Sequence, residues 1–303
     1  MRARFGPLAL VALSACASAP RDEAGLVPTA SGSVFVCSAG RGPDIVLLHG
    51  LGDSSLTWHR VEDELRAAGL RVHLVDALGA GRSQKPRDGS YGVGAHVARL
   101  HEALVARGAE RCVLVGNSLG GSEALLYAME HGDRVAAMVL ISPAAWPKGG
   151  WTGSWVWSHP ASIESVMGRV PPDLVARIAM LANFGNPFRI TEDLVTRYAA
   201  EVVREGTIAA FVAQQRQVIP DAAEVEAITS RYPSLRAPTL ILWGSRDRIL
   251  DPAMGDQLVA VLPDARLVRL PTIGHAAQLE APEVVVDETL AFLVERGILP
   301  GRR

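Results

Sequence analysis

No run of like charges occurs in this 303-residue chain, and its formal net charge is only −2. A nucleic-acid partner would need lysine and arginine clustered on one face, so that class is excluded, as is a charged interaction tail. The eight histidines show no pairing with cysteine or carboxylate at ligand spacing, so no metal site is expected. Gly79-Ala80-Gly81, after Asp76, lacks the third glycine of a dinucleotide fingerprint, so no nucleotide cofactor is expected there and none elsewhere. Cysteine is scarce: of three, Cys37 and Cys112 lie in strand-like segments and read as packed free thiols, a bridge between them being left open. No internal repeat is evident.

What is present first is an address. Arg2 and Arg4 precede the apolar stretch Phe5 to Leu13, far short of the ~20 residues a bilayer core requires, so this reads as a cleavable secretory signal. Leu13-Ser14-Ala15-Cys16 resembles a bacterial lipobox, in which Cys16 is lipidated and becomes the mature N-terminus. The competing reading is an ordinary signal-peptidase site at Ala17-Ser18-Ala19, with Pro20 badly placed after the cut. The expectation is a signal peptide over 1–15 and a flexible tether over 16–33, rich in Ala, Pro, Ser and Gly. The protein would then be exported and held at a bacterial membrane through Cys16, facing the periplasm or the cell exterior. Beyond the tether, a composition of 49% hydrophobic and 20% charged residues can bury one large core. Strand-like runs alternating with helical patterns predict an α/β fold, a mainly parallel sheet covered by helices on both faces.

The chemistry is written in Gly116-Asn117-Ser118-Leu119-Gly120, which places a serine between two glycines after the apolar run Cys112 to Val115 and before a helical pattern. A serine hydroxyl is a weak nucleophile unless held exposed, beside a base, with N–H groups aimed at the developing oxyanion. Two further residues fall on loops that follow strand-like runs. Asp247 follows Pro238 to Trp243, and His275 follows Ala265 to Leu270. The order serine, acid, histidine, each just past a strand, is that of an α/β-hydrolase triad. Asp251, directly before Pro252 at an apparent helix start, is the alternative acid, with helix capping as its competing role.

With His49-Gly50-Leu51-Gly52 after one strand and Asp76-Ala77-Leu78-Gly79-Ala80-Gly81-Arg82-Ser83 after the next, the chain resembles the α/β-hydrolase fold family from about Val34 to Leu299. The resemblance implies Ser118, Asp247 and His275 as catalytic residues and the backbone N–H groups of Leu51 and Leu119 as the oxyanion hole. His49 would be a buried orienting residue. It also implies a core over 34–143 and 237–303 and a helical cap over 144–236. Helical patterns over Pro171 to Ala182, from Thr191, and over Thr207 to Val218 agree with a cap. Trp146, Trp151, Trp155 and Trp157 crowd its start, as a substrate-lining wall, a membrane-facing surface or plain packing. Asn183 to Pro187 reads as a turn without a role of its own, and His96, His101 and His131 as solvent-facing.

Serine as nucleophile points away from the aspartate-using epoxide hydrolases and dehalogenases and toward acyl transfer. The leading expectation is an ester, thioester or lactone hydrolase acting on a small apolar substrate. Gly-Asn-Ser-x-Gly-Gly is also carried by carbon-carbon hydrolases of ring-cleavage products, which keeps that reaction open. A non-catalytic binding protein on the same scaffold is the third reading.

Overall fold

The computed structural model describes residues 23–145 and 167–301. Parallel strands buried on both faces should read as continuous apolar runs, as residues 112–115, 135–141 and 240–243 do, whereas 265–270 at the sheet edge is interrupted by Arg266 and Arg269. β3 (Asp44–Leu48), β4 (Arg71–Asp76), β5 (Cys112–Asn117), β6 (Val135–Ile141), β7 (Thr239–Gly244) and β8 (Ala265–Leu270) are parallel neighbours in the sheet. β1 (Glu23–Thr29) and β2 (Gly32–Ala39) form an antiparallel hairpin, and β2 pairs antiparallel with β4. Among the described residues the sheet has eight strands, in the order β1-β2-β4-β3-β5-β6-β7-β8. This is the α/β-hydrolase architecture that the sequence predicts.

Side-chain alternation along each strand supplies a core to both faces. In β5, Leu114 joins the apolar layer containing Val97, Leu100 and Leu104 of α2 (Val93–Ala106) and Leu125 of α3 (Leu119–Glu130). Val113 and Val115 instead join Leu65 of α1 (Glu62–Ala67) on the opposite side.

Chain order reverses around β3, which lies between β4 and β5. Such a switch point opens a crevice at the carboxyl ends of the strands, the general place for ligands in open α/β sheets. His49 to Leu51 leave β3 there, and Ser118 leaves β5.

Between β6 and β7 the chain forms α4 (Pro172–Asn183), α5 (Glu192–Val202), α6 (Thr207–Gln215) and α7 (Ala222–Thr229). Thr191 caps α5 by accepting from the Leu194 N–H, and Asp221 and Glu224 form a capping box on α7. Met180, Phe184, Leu194 and Val195 of this region pack with Ala276 and Leu279, next to His275 in sequence. After β7 come α8 (Ala253–Val261), α9 (Ala277–Glu280) and α10 (Pro282–Glu295).

Three expectations need correction. Residues 23–33, read as the end of a flexible tether, are structured: β1 pairs with β2 along its whole length, because Val27 is buried and the strand supplies hydrogen bonds to an otherwise open edge. Cys112 is a free, buried thiol pushed up to about 12 by burial, so it is not bridged to Cys37. Cys37 is disulfide-bonded, so the free-thiol expectation holds for Cys112 alone. His96 is buried, not solvent-facing, with Nδ1 2.7 Å from Glu123 Oε1. His101 and His131 are half-buried and stack on each other at 3.9 Å between ring centroids. The expected signal peptide, Cys16, Trp146, Trp151, Trp155 and Trp157 lie outside the described residues.

Candidate active site

Ser118 sits between the last residue of β5 and the first of α3 with φ +53°, in the left-handed region that non-glycine residues rarely occupy. The glycines of its motif are there for lack of a side chain. A Cβ on Gly116 would run into Gly120 O, and one on Gly120 into Leu48 O, so any larger residue would push the helix off the strand. Gly121, outside the motif, is held equally close to Pro143. The strained backbone is fixed by Ser118 N–H to Ile141 O and by Ala144 N–H to Ser118 O, both 3.0 Å. Ser118 is partly exposed while Asn117 and Leu119 on either side are buried. Leu119 opens α3, where the first N–H groups have no intrahelical acceptor.

On the neighbouring loop, Gly50 lies against the serine: a Cβ there would sit 3.3 Å from Ser118 Cβ. The turn Gly50 to Asp53 closes through Asp53 N–H to Gly50 O, with Gly52 at φ +75°. His49 is buried and fully used. Its Nδ1 lies 2.8 Å from Gly50 O and its Nε2 accepts from the Ala77 N–H at 3.0 Å, a pattern that fixes a neutral ring with the proton on Nδ1. It therefore orients the turn and has no nitrogen left to act as a base. Tyr198 of α5 reaches the same turn, its hydroxyl donating to Asp53 Oδ2 at 3.2 Å. Burial pushes the Asp53 carboxyl up, against the opposing pull of the hydrogen bonds it accepts.

Asp247 and His275 meet as the sequence order predicts, with His275 Nδ1 2.8 Å from Asp247 Oδ2. The other carboxylate oxygen accepts from Ile249 N–H and Leu250 N–H at 2.8 and 3.0 Å. Burial alone would raise the Asp247 pKa, but the His275 ring and these donors outweigh it and hold the carboxyl below its ordinary value. An ionised Asp247 puts the imidazole proton on Nδ1 and leaves Nε2 as the basic nitrogen. Asp251 does not compete: it is exposed, and its Oδ1 accepts from Ala253 N–H at 2.9 Å, the capping role. Asp76 is equally structural, a buried carboxylate that accepts from Ser55 N–H, Arg82 N–H and Arg82 Nε.

Three residues in the site were not singled out from the sequence. Asn117 Nδ2 donates to His275 O at 3.1 Å, tying the histidine loop to the elbow. Gln278 Nε2 in turn donates to Asn117 Oδ1 and Thr57 Oγ1. Glu280, 2% exposed, accepts from the N–H groups of Gly274, Gly185 and Asn186. Asn117 could have been noticed as the residue beside the nucleophile. Nothing local marks Gln278 and Glu280, whose other partners lie far away in sequence.

The strained serine on a strand-to-helix turn and the buried carboxylate–imidazole pair on later strand ends stand together at the carboxyl edge of an α/β sheet. The sequence profile of the alpha/beta hydrolase fold family matches residues 43–282, and the chain belongs to that family. Among curated relatives, Lipase 3 of Moraxella sp. (strain TA144) is 27% identical over 83% of this chain and 77% of that protein. The 2-hydroxy-6-oxononadienedioate/2-hydroxy-6-oxononatrienedioate hydrolase of Comamonas testosteroni is 30% identical over 86% of this chain and 91% of that protein. Among solved structures, the epoxide hydrolase CorEH superposes with a TM-score of 0.79 at 19% identity, covering 90% of this chain and 99% of that one, a likeness of fold.

Proposed function

We propose that the protein hydrolyses carboxylic esters, thioesters and lactones included, through an acyl-enzyme on Ser118. In this reading Ser118 Oγ attacks the carbonyl carbon while His275 Nε2 takes its proton. Asp247 holds the ring tautomer and stabilises the imidazolium, and the N–H groups of Leu51 and Leu119 receive the oxyanion. The imidazolium then protonates the leaving alcohol, and water repeats the sequence on the acyl-enzyme to release the acid and free serine. The observation that carries the reading is the left-handed Ser118 at the switch point, on the same sheet edge as the Asp247–His275 pair. The test is a fluorophosphonate probe. It should label the wild type and not Ser118→Ala, whereas labelling of another serine would overturn the assignment.

The carbon-carbon hydrolase reading is favoured by the elbow Gly116-Asn117-Ser118-Leu119-Gly120-Gly121 and by the Comamonas relative. It requires a cation to bind a dienol carboxylate, since a buried charge needs a partner. Four of the arginines between β6 and β7 are engaged elsewhere, which supports apolar esters instead. Arg177 pairs with Glu192, Arg197 with Asp193 and Arg204 with Glu201, all on the surface. Arg189, in the short 3-10 helix Pro187–Arg189, donates to Glu280 O at 2.6 Å and lies 3.6 Å from Glu283. Arg189→Ala should therefore keep kcat/KM for short and medium esters within about tenfold, or ~1.4 kcal/mol. Faster cleavage of a vinylogous diketo acid than of any ester would put the carbon-carbon reaction first.

The proposed address is a lipoprotein anchored through Cys16 and facing the periplasm or cell exterior, supported by Leu13-Ser14-Ala15-Cys16. Cys16→Ser should abolish lipid labelling and membrane retention and leave hydrolysis intact. Lipid labelling or membrane retention that persists in Cys16→Ser would overturn it.

A further inference from the structure

The connection between α4 and α5, Asn183 to Pro187, descends from the cap onto the histidine loop and is bonded to it on both sides of His275. Asn183 O accepts from the N–H of His275 at 2.6 Å and faces that of Ala276 at 3.4 Å. Glu280 joins the same two segments. Its Oε2 accepts from Gly185 N–H at 2.9 Å and Gly274 N–H at 2.7 Å, and its Oε1 from Asn186 N–H at 2.8 Å. All three partners are donors, so both carboxyl oxygens are used here as acceptors.

The fit leaves no slack. A Cβ on Gly185 would meet Thr272 O at 2.5 Å and Gly274 N at 2.7 Å, and one on Gly274 would run into Asn183 O. Phe184 is buried with Ala276 and Leu279. His275 is thus mounted between two bodies: its carbonyl on Asn117 of the elbow, its N–H on the cap.

We propose that Glu280 is a positioning residue for His275, a clamp that makes the cap connection 183–186 part of the catalytic base's mounting, so that a displacement of the cap on this side moves the imidazole. The proposal rests on His275 being the base. A carboxylate serves this place because three N–H groups converge on two oxygens. An amide would turn its own NH2 toward one of them and leave a buried donor unmatched.

The test uses the rate at which diisopropyl fluorophosphate labels Ser118, which needs the serine and its base but no particular substrate, together with kcat and KM for p-nitrophenyl butyrate. Glu280→Gln should slow labelling and lower kcat about tenfold or more, with KM changed less than about threefold. In a His275→Ala background the same substitution should cost less than about twofold further, since there is no longer a base to position. Gly185→Ala, which forces the connection off the histidine loop and keeps the carboxylate, should show the same signature, and it carries the test if Glu280→Gln does not fold. An undiminished loss in the His275→Ala background, or a loss confined to KM, would mean that Glu280 serves only the fold or the pocket and would overturn the proposal. Unchanged labelling by both variants, in an enzyme that His275→Ala inactivates, would overturn this proposal alone. Full labelling of His275→Ala itself would overturn the assignment of the base, and this proposal with it.

Discussion

Among the described residues, serine, histidine and aspartate come together in two places, hydrogen-bonded throughout in one, and only the other lies at the carboxyl ends of the strands. At the edge where the parallel strands begin, His73 of β4 lies 2.8 Å through Nδ1 from Ser38 Oγ and 2.7 Å through Nε2 from Asp44 Oδ1. At the opposite edge, Asp247 and His275 share a 2.8 Å bond on loops beside the elbow that carries Ser118. The first set has the more complete chain of contacts, yet Ser38 is fully buried in an ordinary strand, paired with His73 across β2 and β4. No substrate carbon can reach it, and no helix starts there to supply N–H groups. Ser118 is partly exposed, strained and at the start of a twelve-residue helix. A relay of polar groups buried within a sheet satisfies hydrogen bonds. The same residue types where strands end can do chemistry.

The comparison breaks most visibly at the acid. Asp247→Asn should present the wrong imidazole tautomer and lose up to about 10⁴ in turnover, by analogy with the serine-protease triad. Asp44→Ala should leave turnover nearly unchanged and lower stability by roughly 1–3 kcal/mol, through the unmatched His73 nitrogen. Turnover and thermal melting on the two variants decide this, and a greater loss of turnover at Asp44 would reverse the reading. At the serines, Ser118→Ala should lower turnover by about 10³ or more, while Ser38→Ala should change it less than about twofold and stability by ~1 kcal/mol.

A pH series sharpens the acid assignment further. Asp247 has a lowered pKa in the folded state, so its contribution to stability is complete above the ordinary carboxylate range near 4 and is lost as pH falls through the lower folded value. The melting-temperature gap between wild type and Asp247→Asn should stay constant from about pH 5 to 7 and shrink below about pH 4. A gap that widens on acidification would contradict the direction of the shift. The smallest expected effect is at Asp251→Asn, which retains a capping oxygen and should leave turnover and melting within about 0.5 kcal/mol of wild type.

How much of this was legible follows from how local each feature is. The elbow, the oxyanion turn and the loops bearing Asp247 and His275 each show as an apolar run followed by glycine and one polar residue, because strand burial and turn sterics act over a few residues. The helices between β6 and β7 were legible through Thr191 and the apolar spacing after Pro171. β1 was missed because its outward positions, such as Gly25 and Leu26, make it resemble a linker, and only pairing with β2 makes it a strand. His96 was misplaced for the same kind of reason: its helix turns it onto Glu123 of α3, a partner its own segment does not announce.

The sequence by itself determined the fold class, the order of the triad candidates and the position of the elbow, since hydrophobic periodicity and glycine sterics are written locally in the chain. Only the tertiary structure decided that Asp247 and not Asp251 meets His275, and that Ser38, His73 and Asp44 form a second, sealed relay. It alone also joined Asn117, Glu280 and the cap connection around the histidine. Hydrogen bonds of that kind link residues far apart in the chain, so their existence depends on the sheet order and the packing of the cap, which no local pattern encodes.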